Sequence, residues 1–330
     1  SKLLLPCASA PLRDITMAMI ILKSIQELAN LKGPIVLAAG TFDGLHLGHQ
    51  ALIRRAMEEA ASVNGTAVVM TFDRHPASVV RPGLAPRLLT TEQAKIDLLE
   101  KMEVPALLLL EFTPELASVP AEEFIASLVA ASHPLRMICV GSQWSFGKGG
   151  TGTIAQLEQM GRAQEFSVAQ IDPVEVGGSA ISSTRIRTAI ASGDLKGAAS
   201  CLGRPYLLMG RVIKGAGLGA TIGFPTANLD VDGMQLPPDG VYAVRVRIEG
   251  EAGDSFYPGV TNIGVRPTVD PTFANRTIEV HLFDVSRDFV RKELSLEFVK
   301  FLRAEQKFSG LEELSAQIER DCAMARSFGP

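Results

Sequence analysis

The sequence is poor in the features that would place it outside a reducing compartment, in a membrane or on a nucleic acid. Only four cysteines occur in 330 residues, Cys7, Cys139, Cys201 and Cys322, and none forms a C-x-x-C pair. That spacing excludes a zinc ribbon or a secreted disulfide framework and fits a cytoplasmic chain. Each cysteine sits among apolar or small residues, as buried thiols do. Basic charge is not in excess: the formal net charge is −4, which argues against a nucleic-acid partner. No apolar run approaches the roughly 18 residues that a membrane-spanning helix needs, so no membrane association is expected. The apolar part of Ser1 to Pro11 is shorter than a signal-peptide core of about seven to fifteen residues. Residues 1–19 are therefore expected to be a leader or extension. There is no internal repeat, no low-complexity tract and no Gly-Lys-Ser/Thr phosphate loop.

What is present is an ordinary enzyme composition, 46% hydrophobic and 21% charged, in a chain long enough for two domains. From Ile35 to Gly203 short apolar runs alternate with helical patterns. Strands are expected at Ile35–Ala39, Ala67–Phe72, Ala106–Phe112 and Arg136–Val140, with helices at Ala51–Val63 and Ala121–Ala131. A capping box, Thr90-x-x-Gln93, is expected to open a further helix through Lys101. This alternation predicts an α/β fold with a parallel, Rossmann-like sheet, which binds ligands at the carboxyl ends of its strands. After Arg204 the pattern becomes β-branched runs at Tyr206–Ile213, Val241–Ile248, Thr277–Phe283 and Leu294–Phe301 between Gly- and Pro-rich connections. Those predict an antiparallel β-barrel. A C-terminal helix follows, opened by Ser309-Gly-Leu-Glu312 and carrying the stripe Leu311, Leu314, Ile318, Cys322 and Ala325. The expected domains are 20–203 and 204–330.

The first candidate site is Gly40-Thr-Phe-Asp-Gly-Leu-His-Leu-Gly-His49, between a buried strand and a helix. Free amides and a positive helix end favour phosphates there, and glycines let the backbone approach a ligand. His46 and His49 are three apart, so at a helix start they face one way. Paired imidazole donors suit the charge that builds on phosphate oxygens during nucleotidyl transfer. Ser182, Ser183 and Thr184 read as caps of the next helix, and Arg185 as a charge over a triphosphate or a solvated surface residue. At these residues the chain resembles the H-x-G-H nucleotidyltransferases and, within them, the prokaryotic FAD synthetases. The resemblance extends through Thr71-Phe-Asp-Arg-His-Pro76, Val140-Gly-Ser-Gln-Trp-Ser-Phe-Gly147 and Ile181-Ser-Ser-Thr-Arg-Ile-Arg187.

It implies that FMN phosphate attacks the α-phosphorus of ATP, giving FAD and pyrophosphate. In this resemblance His46, His49 and Arg185 are catalytic. Gly40, Thr41, Phe42, Asp43, Gly44, Ser182, Ser183 and Thr184 bind ATP, and Gln143 and Trp144 dock the flavin. The chain departs from the family pattern at Arg74, Gln143, Trp144 and Gly150. These departures bear on flavin docking and adenylylation rate.

The second candidate site combines Gly210-Arg-Val-Ile-Lys-Gly215 with Gly219-Ala-Thr-Ile-Gly-Phe-Pro-Thr-Ala-Asn228. On an extended segment Thr226 and Asn228 share one side and could hold a hard cation; Pro-Thr-Ala-Asn also reads as a turn. In Thr277–Phe283 the apolar Ile278, Val280 and Leu282 share one strand face, which leaves Glu279 and His281 on the other. Glu279 is either a solvated strand residue or a general base.

The segment resembles the G-F-P-T-A-N signature of riboflavin kinases. Supporting pieces are Asp239-Gly-Val-Tyr242, Gly259-Val-Thr-Asn-Ile-Gly-Val-Arg-Pro-Thr268, Glu279-Val-His-Leu-Phe-Asp284 and Phe301-Leu-Arg-Ala-Glu-Gln-Lys-Phe308. The resemblance implies Glu279 as base for the riboflavin hydroxyl, and Thr226 and Asn228 on Mg²⁺. It places Gly215, Gly223 and Pro225 on ATP and Arg303 near flavin or phosphate; Ala220 stands where many members carry Arg. The expected substrates are ATP, riboflavin and FMN. Two alternatives stay open: a kinase with a degraded adenylyltransferase, and a non-catalytic flavin-binding protein. Oligomeric state is not legible.

Overall fold

The computed structural model describes residues 18–215, 218–231, 233–251, 256–265, 276–285, 287 and 289–328. Most of the expected leader, Cys7 and the 266–268 end of one kinase-like motif lie outside them.

The first half is a six-stranded parallel sheet. Its strands are β1 (Ile20–Leu22), β2 (Ile35–Ala39), β3 (Thr66–Phe72), β4 (Ala106–Leu110), β5 (Leu135–Gly141) and β6 (Ser167–Ile171), in the order β1-β4-β3-β2-β5-β6. Helices α1 (Leu47–Ser62), α2 (Glu92–Lys101), α3 (Ala121–Ala131) and α4 (Ile154–Ala163) connect successive strands. All five residues of β2 are buried, as a strand covered on both faces requires. Ile35, Leu37 and Ala39 pack into one core with α3, while Val36 and Ala38 pack with α1 into a second. The chain runs outward from β2 through β3 and β4, then returns to β5 on the other side of β2. A sheet of this kind binds ligands beyond the carboxyl ends of the strands at that reversal. Gly40 directly follows β2 and Gly141 ends β5, the two strands that flank it.

A hairpin, β7 (Glu175–Val176) and β8 (Ser179–Ala180), leads into α5 (Ser183–Ala191) and α6 (Leu195–Leu202). Gly203 then closes α6 in the left-handed conformation, with φ 72°. The second half is a closed antiparallel barrel of β9 (Leu207–Ile213), β10 (Ala227–Asp230), β11 (Gly240–Ile248), β12 (Tyr257–Val265), β13 (Arg276–Leu282) and β14 (Glu293–Arg303), followed by α7 (Leu311–Arg326). Around the barrel the order is β10-β13-β12-β11-β14-β9. Ile278, Val280 and Leu282 are 1%, 0% and 4% exposed, so the alternation along β13 does face its apolar side inward. Each such side chain contributes roughly 1.5–3 kcal/mol by leaving water.

The two halves share one apolar cluster, in which Leu89, Ile186 and Leu202 meet Tyr206, Leu229 and Met234. Leu88 stitches them further: its amide donates to the Gly233 carbonyl (2.7 Å) and its carbonyl accepts from Gln235 (2.8 Å).

Local expectations differ in instructive places. Thr91, not Thr90, caps α2 by accepting from the Ala94 amide at 3.2 Å. Thr90 is drawn away by a long-range partner, because its hydroxyl accepts from the Gly44 amide at 3.1 Å. Gly310 is the N-cap of α7, and Ser309 bonds Glu313 rather than Glu312. Leu311 is 52% exposed, whereas Cys322 and Ala325 are buried. Strands β10 and β12 were concealed by Pro, Gly and Asn residues that read as connections. The three cysteines among the described residues are buried, and burial pushes the Cys139 thiol up to about 12.

Candidate active sites

The turn after β2 is held open by strained backbone. Phe42 and Leu45 have φ of 49° and 40°, and Gly44 has φ 82°. Non-glycine residues in this region persist where surrounding bonds overdetermine them, which is common at ligand sites. Here the bonds converge on Asp43, 4% exposed. Its carboxylate accepts from the amides of Leu89 (2.9 Å) and Thr90 (3.1 Å) and pairs with Arg187 at 2.5 Å. Arg204 donates to the carbonyls of Gly44 (2.8 Å) and Leu45 (3.3 Å). The Ser183 hydroxyl donates to the Asp43 carbonyl at 2.9 Å, which joins the turn to the start of α5.

On this platform the rings of His46 and His49 stack, with centroids 3.6 Å apart and planes 16° apart. Phe42 meets His49 edge-on at 5.2 Å, and its ring lies over Gly40, where an added Cβ would fall 3.1 Å from it. His46 is the N-cap of α1: its Nδ1 accepts from the His49 amide at 3.3 Å. A neutral His46 therefore carries its proton on Nε2. Burial lowers the His46 pKa to about 4; burial, the neighbouring imidazole and Lys95 lower that of His49. Both rings are accordingly neutral N–H donors at pH 7. His49 Nδ1 is buried with no hydrogen-bond partner.

Other expected residues stand in distinct settings. Ser182 caps α5 by accepting from the Arg185 amide at 3.2 Å, and Thr184 is exposed. The Arg185 guanidinium donates to the carbonyls of Ser179 (2.6 Å), Ala180 (3.3 Å) and Val176 (2.8 Å), so it braces the β7–β8 hairpin. Gln143 is exposed, and Trp144 stacks on Phe146 with centroids 4.6 Å apart. Those two aromatic rings, with Phe72, Phe112 and Phe124, line a cavity of about 70 Å³ beside Gly40. It is a small aromatic-lined slot beside the turn that follows β2.

The second site lies on the outer face of the barrel. Asn228 on β10 is directly opposite Glu279 on β13, which is opposite Asn262 on β12. Directly paired residues on antiparallel strands project to one face, so these three form a polar row. Asn228 is 9% exposed, and a Cβ on Gly215 would lie 2.1 Å from its amide nitrogen; only glycine permits that approach. Thr226 precedes β10, packed against Gly219, where an added Cβ would lie 3.2 Å from its hydroxyl. Gly223 turns with φ 87°. His281 fixes the segment from below: its Nδ1 is 2.8 Å from the Pro225 carbonyl, with Phe224 and Phe283 edge-on at 5.7 Å each.

A cavity of about 330 Å³ opens between Gly215 and Pro225–Thr226, closed by Arg287 and Phe289. Arg303 sits apart from that row. It donates to the Asp321 carboxylate of α7 from Nε (3.0 Å) and Nη2 (2.8 Å), and Asp321 is 3% exposed. The larger cleft of about 790 Å³ between α6 and β14 contains none of the expected site residues.

Sequence reasoning passed over Arg187, Arg204, Asn262 and above all Lys95. Lys95 and Leu99 are the buried residues of α2. A charge four residues from a buried leucine, on the same helical stripe, was the available signal.

Two family models match the chain: FAD synthetase over residues 29–185 and riboflavin kinase over residues 202–328. The bifunctional riboflavin kinase/FMN adenylyltransferase of Escherichia coli is 38% identical over 89% of this chain and 92% of its own length. The chain belongs to this bifunctional family. Its Bacillus subtilis member is 36% identical over 87% of this chain and 90% of that one. A crystal structure described as a macrolide-efflux protein from Streptococcus pneumoniae has a TM-score of 0.75 at 30% identity, covering 94% of this chain and 99% of that one. Among the described residues no helix is long and apolar enough to cross a membrane. The parallel sheet thus corresponds to the synthetase model and the barrel to the kinase model.

Proposed function

We propose that this chain converts riboflavin to FMN on the barrel and FMN to FAD on the parallel sheet, with residues 204–330 and 20–203 as the working units. The pairing of each geometry with its own family model, within one chain, carries this reading.

On the barrel, Glu279 removes the proton of the riboflavin 5′-hydroxyl as its oxygen bonds the γ-phosphorus of ATP and the bond to the β-bridging oxygen breaks. The base sits on a strand, fixed by two neighbouring strands in register, so its position costs little ordering entropy at the moment of transfer. The Thr226 hydroxyl and the Asn228 side-chain oxygen are hard donors that fit Mg²⁺. Such a cation takes most of its ligands from phosphates and water. When bound it would neutralise charge on the ATP phosphates. Gly215, Gly223 and Pro225 shape the wall along which the phosphates lie.

On the sheet, a phosphate oxygen of FMN bonds the α-phosphorus of ATP and pyrophosphate leaves. That nucleophile is already ionised, so no base is needed. His46 and His49 donate to phosphate oxygens as charge builds, while the turn Gly40–Gly44 and the cap at Ser182–Thr184 receive the nucleotide. Arg185 acts by holding the hairpin beside that cap, and Gln143 and Trp144, the latter backed by Phe146, receive the flavin ring.

Chromatography of flavins after incubation with riboflavin, ATP and Mg²⁺ tests the proposal. FMN followed by FAD is expected. FMN alone would remove the adenylyl-transfer half, and unchanged riboflavin would remove both.

A further inference from the structure

Lys95 is a charged residue that neither reaction, as described above, uses. It is 7% exposed, and its ammonium donates to the carbonyls of Thr41 (3.1 Å) and Phe72 (3.1 Å) and to the Thr71 hydroxyl (3.4 Å). All three acceptors are uncharged. Thr71 is itself fully buried and donates to the same Thr41 carbonyl at 3.0 Å. The carboxylates that act on Lys95, Asp43, Glu92 and Asp73, do so from beyond hydrogen-bond reach. Two of them are already engaged, Asp43 with Arg187 and Asp73 with Arg74.

Buried charges are normally paired, because an unpaired one forfeits its hydration. A lysine held by neutral acceptors at the carboxyl ends of β2 and β3 is a fixed positive charge at the edge where this kind of sheet binds its ligand. The same stretch of chain also grips the turn through the amides of Leu89 and Thr90 and the Thr90 hydroxyl, which donate to Asp43, and through the Thr90 hydroxyl accepting from the Gly44 amide. Lys95 is the member of that set that carries charge.

We propose that Lys95 is a positioning residue of the adenylyl-transfer site, fixing Thr41 and Phe72 and supplying unneutralised positive charge behind the histidine pair. Its field, acting in a water-poor interior, favours the charge that develops on the polyphosphate without touching it. The inference rests on the adenylyl-transfer reading.

Three full-length variants test it. Lys95→Gln keeps hydrogen bonding and removes charge, Lys95→Met removes both, and Lys95→Arg restores charge. With FMN, ATP and Mg²⁺, Lys95→Gln and Lys95→Met are expected to lower kcat for FAD formation by roughly ten- to a hundred-fold, with a smaller change in KM for ATP. Lys95→Arg should recover most of that loss. Riboflavin phosphorylation by the same chains should not change. In NMR titrations the His49 imidazole should protonate at higher pH in Lys95→Gln, because a nearby cation is gone. Emission of Trp144, the single tryptophan, reports whether the sheet domain remains native.

A native Lys95→Gln chain with wild-type kcat would overturn the proposal. So would equal losses in all three variants with an unmoved His49 titration, which would mark a purely structural residue. Should the wild-type chain make no FAD, the adenylyl-transfer reading fails first. The His49 titration then still decides whether Lys95 charge reaches the histidine pair.

Discussion

Lowering the pH from 7.5 to 5 should weaken the sheet domain, and His46 alone should account for about 2 kcal/mol of the loss. The imidazole is 6% exposed, and burial brings its pKa from 6.5 to about 4. Because the folded value is depressed, the unfolded chain takes up the proton first. Stability from this group is complete above 6.5 and disappears as the pH falls toward 4. At pH 5 the solution is about 1.5 units below the unfolded value, and each unit is worth about 1.36 kcal/mol. The assay is urea unfolding followed by Trp144 emission, run on the wild type and on His46→Asn. Asparagine accepts a hydrogen bond at an N-cap as well as any residue, so α1 keeps its cap while the titration is removed. The depressed value at His75 acts in both chains and cancels, while that of His49 rises when the neighbouring imidazole is removed, which widens the difference in the same direction. The wild type should therefore lose about 2 kcal/mol more than His46→Asn between the two pH values. Parallel losses would refute the assignment of a buried, neutral imidazole.

Arg187→Met leaves the Asp43 carboxylate without its cation, with side chains 14% and 6% exposed, and should cost about 3–5 kcal/mol in a denaturation experiment. Asp321→Asn strips Arg303 of its charged partner and should loosen α7 from the barrel, read as faster amide exchange in α7 than in the sheet. Gly147→Ala demands φ 71° of an alanine and puts its Cβ 2.6 Å from the Ala121 backbone, so roughly 1–3 kcal/mol of stability and much of the flavin affinity should go; FMN titration by fluorescence measures the latter.

The architecture was legible because its signals are local and repeated. The buried run Ile35–Ala39 could only be a strand covered on both sides, and alternation along Thr277–Phe283 fixed which face of β13 Glu279 takes. The site was legible wherever its residues are close in sequence, as with His46 and His49. It was hidden wherever distant segments decide a side chain's partner. Thr90 has the right spacing for a helix cap, yet bonds Asp43 and Gly44 across 46 or more positions. Nothing near Asp43 announces that Arg187, 144 residues away, will hold its carboxylate. Asn262 joined the row with Glu279 only through strand register, and β12 was masked by its glycine and proline residues. Lys95 was visible as a charge on an apolar stripe, but its three neutral acceptors were not.

The central claim is that one chain holds two separate reactions, each in its own domain. The direct test is Glu279→Gln and His49→Ala, each supplied with MgATP and either riboflavin or FMN, with flavins resolved by chromatography. Glu279→Gln should lose riboflavin phosphorylation by roughly 10²–10⁴-fold while still converting supplied FMN to FAD. His49→Ala should stop at FMN, with FAD formation lowered by roughly 10²–10³-fold. Loss of both reactions in either folded variant would contradict the account.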